Sequence, residues 1–395
     1  KYSEYVKKVC DSKDILKEII ERVSGREFAD DWFPFNPIDS EGSMDGITVT
    51  SYEWPFVNWV DSHGVEGTSD LRIGEGKLPW RIEWPAKWGW NGVTCEPFGK
   101  DHAAAGGSFD TGKEICKIFG IEAPMSLPYE WISLKGKGAM SSSTGVVLTA
   151  RELLDIVPPS VMRFLIAKHK PKKAIDFDTG EGLIDLADEF ERGHNSLEDS
   201  KTEDMNNRQR VAFDTQLGAF RLSKVDEESE TLFSSRGVSF RHLSMLAQIK
   251  TDDAAVWESL SRTHDMDSES PHPVLVDRLK RMRNWISGVQ FPDSARISLR
   301  SAVESGWAEE LGTEAEAFLT TLFDDSRSVE FNETGINNWI REAITTSAID
   351  NKVAYTILYR LFLESDKGPR LASLLAAMDS VEVFSILEKA IEMLE

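Results

Sequence analysis

The stretch that most restricts the fold is residues 94–120, "TCEPFGKDHAAAGGSFDTGKEICKIFG". A short run ending at Phe98 reads as a strand, and Gly99 turns the chain. After the small residues Ala103 to Ser108, "FDTGKEICKIFG" reads as a helix. Asp110 and Thr111 sit near its start and Gly120 follows its end, a normal cap pattern. A strand, a turn and a helix make an α/β unit, and in open α/β sheets ligands bind outside the carboxyl ends of the strands. Lys100, Asp101 and His102 occupy that position. The small residues after them let a ligand approach the backbone. A histidine there can hydrogen-bond a substrate or titrate near neutrality.

The neighbouring residues extend this reading. Residues 1–25 carry Val6, Ile15, Leu16, Ile19, Ile20 and Val23 among charges, the spacing of an amphipathic helix. Residues 26–80 change texture to aromatics, Gly and Thr, with the alternating run Ile47 to Thr50, and predict a β-rich insert. "LPWRIEW" and "PYEWISLKG" read as further strands, placing α/β units over 78–135. "ARELLDIV" and "SVMRFLIAKH" predict two helices joined at Pro158-Pro159. Residues 195–235 are polar, which puts a boundary near 195–205. Beyond 205, segments such as "HPVLVDRLKRMRNWISGV" and "KVAYTILYRLFLES" space apolar residues by three and four, predicting an α-helical domain.

With 395 residues, 41% of them hydrophobic, the chain can bury a sizeable core in two or three domains. Three scattered cysteines fit a reducing cytoplasm better than a disulfide framework. No run of 18 apolar residues predicts a membrane span. A net charge of −22 is a poor global footprint for a nucleic-acid binder. The local segment "AKHKPKK", 167–173, nevertheless concentrates four lysines and a histidine. The acid surplus elsewhere fits adaptation to a salty habitat.

Two further features carry chemistry. Trp80, Trp84, Trp88 and Trp90 lie within fourteen residues. Most serve packing, but one ring can wall a pocket for an alkyl stem or a cation. "KGKGAMSSSTG", 135–145, is composed either as a solvated spacer or as a phosphate loop. Its glycine-flanked amides, its hydroxyls, Lys135 and Lys137 suit a triphosphate. It is not a Walker A loop, which needs Gly-Lys-Ser/Thr opening a helix.

Taken together these segments resemble class I lysyl-tRNA synthetases of the archaeal type, and the resemblance covers nearly all of the chain. "GKGAMSSSTG" is similar to that family's Lys-Met-Ser-Lys-Ser loop, "EPFGKDHAAAGGSFDTGKEI" to its strand-end segment, "PPSVMRFLIAKHKPKKAIDFD" to its stem-contact region, and "LYRLFLESDKGPRLASLLAAMD" to its C-terminal helices. The resemblance implies α/β plus all-α architecture. Residues 1–150 would form the C-terminal half of a Rossmann catalytic domain, including the insert at 26–80 and the loop at 135–145. Residues 151–204 would be a stem-contact region and 205–395 a helical anticodon-binding domain. The implied activity is ATP-dependent activation of lysine, with ATP as its Mg2+ complex, followed by transfer to tRNA-Lys, in the cytoplasm and as a monomer.

The implied lysine pocket is Trp80, His102 and Tyr129. Gly99, Asp101, Gly138, Met140 and Ser141 would contact ATP. Lys135, Lys137, Ser141, Ser142 and Ser143 would act in the mobile loop. Ala139 and Ser142 fill the loop motif's lysine positions, so the moving cation falls to Lys135 or Lys137. The family's zinc ligands are replaced by residues such as Asn36 and Asp39, so no zinc is expected. No His-Ile-Gly-His signature occurs, so a fragment lacking the first Rossmann half, inactive alone, is expected. A glutamyl-type class I synthetase and a non-catalytic tRNA-binding protein are the alternatives.

Overall fold

The computed structural model describes every residue except 141–147, 199–204, 226–236, 265, 301–310, 313 and 395; the side chains of 139, 194–198 and 327–328 also lie outside the description. The chain forms two compact units, residues 1–132 with 170–175, and residues 133–169 with 176–395.

In the first unit α1 (Tyr2–Asp11) and α2 (Lys13–Ser24) replace the single helix expected over 1–25. Ser12 leaves helical geometry, and each piece buries its own short stripe: Val6 and Val9 from α1, Leu16 and Ile20 from α2. The insert is β-rich as expected. Strands β1 (Asn36–Pro37) and β5 (Gly76–Lys77) pair antiparallel. Between them β2 (Thr48–Glu53), β3 (Phe56–Val60) and β4 (Glu66–Asp70) form a three-stranded antiparallel sheet. Its buried face is thin: Val57 and Trp59 point inward from β3, and the Trp59 Nε1 donates to Ser69 Oγ at 2.9 Å.

"LPWRIEW" is not a strand. Residues Trp80–Asn91 form helix α3, entered through Pro79 and closed by left-handed Gly92. The spacing explains the correction. Trp80, Trp84 and Trp88 recur every fourth residue and so share one helical face. Trp88 is buried, together with Ile82, Pro85 and Ala86. Pro85 removes one amide from the helix, which tolerates the loss because the apolar packing on both sides fixes it.

Strand β6 (Cys95–Gly99) is where the sequence placed it. It leads through a short 3₁₀ turn, Lys100–Ala103, into α4 (Ser108–Phe119), capped by left-handed Gly120. The chain returns as β7 (Met125–Tyr129), parallel to β6. "PYEWISLKG" is thus two strands: β7, and β8 (Ile132–Leu134), which starts afresh after Glu130. Helix α4 buries Ile115, Cys116 and Phe119; Phe109, Phe98 and Trp88 form a second small cluster beside it.

In the second unit β8 forms a tight hairpin with β9 (Gly138–Ala139). Helix α5 (Ala150–Ile156) starts at a complete capping box, in which Thr149 and Glu152 satisfy each other's backbone amides. Helix α6 (Pro159–Ala167) follows the proline pair, and β10 (Ile175–Phe177) precedes α7 (Glu181–Glu198) and α8 (Asn207–Ser223). Phe164, Phe190 and Phe220 knit α6, α7 and α8 together.

Helices α9 (Phe240–Ile249), α10 (Asp253–Thr263) and α11 (Pro273–Ser287) continue the bundle. The remainder comprises α12 (Ala315–Asp324), α13 (Glu333–Ser347), α14 (Asn351–Phe362), α15 (Leu371–Ala377) and α16 (Ser380–Leu394). Phe318, Leu322, Ile336, Trp339, Leu375 and Leu387 are buried among them. No described helix is long and apolar enough to cross a membrane.

Candidate functional site

The parallel register of β6 and β7 sets the site. Gly99 stands opposite Tyr129, so both strands end at the same level. Beyond that level lie Lys100, Asp101 and His102 from β6, and Glu130 from β7. Lys100 Nζ and the Glu130 carboxylate lie 2.7 Å apart and tie the two strand ends. Asp101 folds back so closely that a Cβ at Gly99 would lie 2.7 Å from Asp101 Oδ1. Asp101 Oδ2 is 3.6 Å from His102 Nε2.

Helix α3 brings the aromatic wall. The Trp80 ring stacks on Trp84 with centroids 5.3 Å apart, and His102 tilts against both, 5.1 Å from Trp80 and 5.6 Å from Trp84. Trp84 is the pivot. Its Nε1 donates to Glu96 Oε1 at 3.0 Å, and its ring meets Phe98 edge-on. Trp80 and Tyr129 are each about half exposed (49% and 48%), which leaves ring surface for a ligand to cover.

A cavity of about 490 Å³ opens on Trp80, Asp101 and His102. The structure therefore brings together three of the expected residues, Trp80, Asp101 and His102, with Gly99 one step away in the chain. Tyr129 is not among the cavity's lining residues. It stands at the adjacent strand end. The sequence reading missed the rest of the wall: Arg26, Phe28, Trp32 and Arg81. A helical reading of residues 80–91 would have exposed Trp84 as a partner of Trp80.

The glycine-rich loop starts as built structure rather than as a spacer. Lys137 N donates to Leu134 O at 2.9 Å, and Gly136 and Gly138 take φ of +75° and +76°. A side chain is strained at such φ, so glycine is required at both positions. Lys135 is not free, since its Nζ lies 2.9 Å from Asp178 Oδ2. That contact raises the Lys135 ammonium above its ordinary value. Burial pushes Asp178 up, but the bond from Lys135 and the amides of Gly180 and Gly182 outweigh it and hold the carboxyl low. Lys137 makes no ion pair among the described residues. Met140 is half-buried, and Ser141, Ser142 and Ser143 lie outside the described residues.

In the basic segment Lys168 pairs with Glu189 at 2.5 Å, while Lys170, Lys172 and Lys173 are exposed. Burial drives the Cys10 thiol up to about 12 and Cys116 to about 11, so neither is a ready thiolate. Among the described residues no three His, Cys, Asp or Glu side chains converge as a metal site.

Comparison with known proteins gives this geometry its setting. The family model for class I tRNA synthetases (K) matches residues 1–217. A lysine–tRNA ligase of Thermoplasma volcanium is 37% identical over 376 residues, covering 92% of this chain and 69% of that protein. A lysine–tRNA ligase of Picrophilus torridus is 33% identical, with 91% and 68% covered. One of Methanosarcina barkeri is 31% identical, with 99% and 73% covered. A family match over more than half of the chain, joined to relatives of this identity and coverage, means that the chain belongs to the class I tRNA synthetases (K), a family of aminoacyl-tRNA ligases.

Proposed function

We propose that the chain belongs to a lysine–tRNA ligase, which activates lysine with ATP and transfers it to tRNA-Lys. One observation carries the reading: Trp80 and His102 stand ring to ring at 5.1 Å over the carboxyl end of the β6–β7 pair. The names of the relatives supply the amino acid. Lysine lays its alkyl stem on Trp80 and Tyr129, and His102, oriented by Asp101, holds its polar groups. ATP enters as its Mg2+ complex, with Gly99 and Asp101 near the nucleotide.

Lys135 and Lys137 of the β8–β9 turn, with Gly138, Met140 and the hydroxyls of Ser141–Ser143 that follow in the sequence, attend the phosphates. No covalent intermediate on the protein is needed. Positioning and charge stabilisation lower the barrier to attack of the lysine carboxylate on the α-phosphate, with pyrophosphate leaving. Residues 151–204 contact the tRNA stem with the help of Lys170, Lys172 and Lys173, and residues 205–395 hold the anticodon. The protein works as a monomer in the cytoplasm.

The 395 residues contain no His-Ile-Gly-His signature. By themselves they therefore bind lysine without activating it. Calorimetry should show binding of lysine in preference to arginine or glutamate; equal binding of glutamate would refute the specificity. Fused behind a class I first nucleotide-fold half bearing that signature, the chain should support lysine-dependent pyrophosphate exchange. Replacing Lys135 and Lys137 with Ala in that fusion should cut exchange by about a hundredfold or more. An unchanged rate would remove both lysines from the mechanism.

A further inference from the structure

The wall of the cavity lined by Trp80 and His102 also carries two guanidinium groups, Arg26 and Arg81. Neither makes an ion pair with a carboxylate among the described residues. Arg81 Nη1 is buried with no hydrogen-bond partner. Burial, and then the charge of Arg26, lowers the Arg81 pKa from its ordinary value. The fold thus holds two like charges close together and leaves a buried donor unmet, an arrangement that is costly unless a ligand completes it.

The lining tells the sign of that ligand. Asp101 is its one carboxylate, and it lies against His102 at 3.6 Å. Gly107 and Ser108 also line the cavity and form the N-terminus of α4, a twelve-residue helix whose Gly107 cap makes no side-chain bond to the first amides. Those amides add partial positive charge to the same cavity. Beside the arginines Phe28 and Trp32 stack at 4.6 Å, and both rings line the cavity.

We propose that Arg26 and Arg81 form an anion seat that takes a phosphate group of a nucleotidyl ligand. Guanidinium forks match the several oxygens of a phosphate, and aromatic faces next to them accept a base without regard to sequence. The ammonium of lysine is excluded from this wall by charge. The seat rests on the reading of the chain as part of a lysine–tRNA ligase. That reading offers two sources of the group: the free nucleotide, or the phosphodiester next to the single-stranded 3′ end of an RNA.

The test uses the 395-residue chain and three probes: AMP, ATP, and a short RNA hairpin ending in single-stranded CCA, each followed by tryptophan fluorescence. Arg26 is exposed, so R26M leaves the fold intact; R81K and the double variant R26M/R81M complete the set. Each arginine removed should weaken the responding probe by about tenfold. For the RNA it should also lower the salt slope by about 0.7. Loss with AMP and ATP assigns the seat to the free nucleotide. Loss confined to the RNA assigns it to the 3′ end. Either outcome supports the seat. Affinity for all three probes unchanged in R26M, or a wild-type chain that binds none of them, overturns it. Lysine binding to the wild-type chain, measured alongside, reports on the ligase reading separately. If lysine fails to bind while a phosphate probe depends on Arg26, the ligase reading falls and the seat stands.

Discussion

Trp80 is the side chain whose removal tests the lysine pocket most directly. Its ring is 49% exposed, stacked on Trp84 below and tilted against His102 at the side, so its open face is what a ligand would cover. The lysine side chain has four methylenes, and full burial is worth about 0.8 kcal/mol for each, or about 3 kcal/mol in all. If Trp80 and Tyr129 share that burial, Trp80→Ala removes about half, which is about tenfold in affinity. Trp80→Phe should fall between, because the smaller ring still covers part of the stem. Calorimetry with lysine, ornithine and diaminobutyrate gives a sharper readout. In the wild-type chain each methylene lost should weaken binding by a nearly constant factor, and in Trp80→Ala that factor should shrink. Thermal melting checks the fold, since the lost ring contacts cost about 1 kcal/mol. Lysine affinity and methylene increment both unchanged in a folded Trp80→Ala would refute the pocket.

Two predictions concern the frame around it. A Cβ at Gly112 in α4 would lie 2.9 Å from the buried Trp88 ring, so Gly112→Ala should destabilise the first unit by about 1–3 kcal/mol in urea unfolding; a neutral result would mean that the helix shifts freely against Trp88. In the second unit the buried Asp188 accepts from Phe240 N at 2.6 Å, and burial raises its carboxyl pKa. The folded state therefore holds that proton more tightly than the unfolded chain. The stability it contributes is full below the ordinary carboxylate value of about 4 and is lost as pH rises through the raised value. Asp188→Asn keeps the acceptor and should flatten that part of the stability–pH curve, as chemical denaturation from pH 4 to 8 would show. An unaltered curve would sink the assignment.

Much of the site was legible because it is local. The strand ending at Phe98, the turn at Gly99 and the helix closed by Gly120 are set by short-range rules of burial, turning and capping, and they fix where Lys100, Asp101 and His102 must stand. The same holds for the helices after Pro158 and for the amphipathic segments beyond residue 205. The strand reading of "LPWRIEW" failed because bulky rings favour a pleated surface in isolation. Tertiary packing overrode that preference: Ile82, Pro85, Ala86 and Trp88 are all buried on the helix that forms there.

Sequence alone determined the class of the fold and the strand-end position of the site, since both follow from patterns within a few dozen residues. Only the tertiary structure decided what surrounds that site. Arg26, Phe28 and Trp32 are separated from His102 by a whole β insert, and no periodicity links them. They share a cavity because α2, α3 and α4 bury a common core of Leu16, Ile20, Ile82 and Ile115, and the apolar contacts that hold these helices also bring two cations to the aromatic wall.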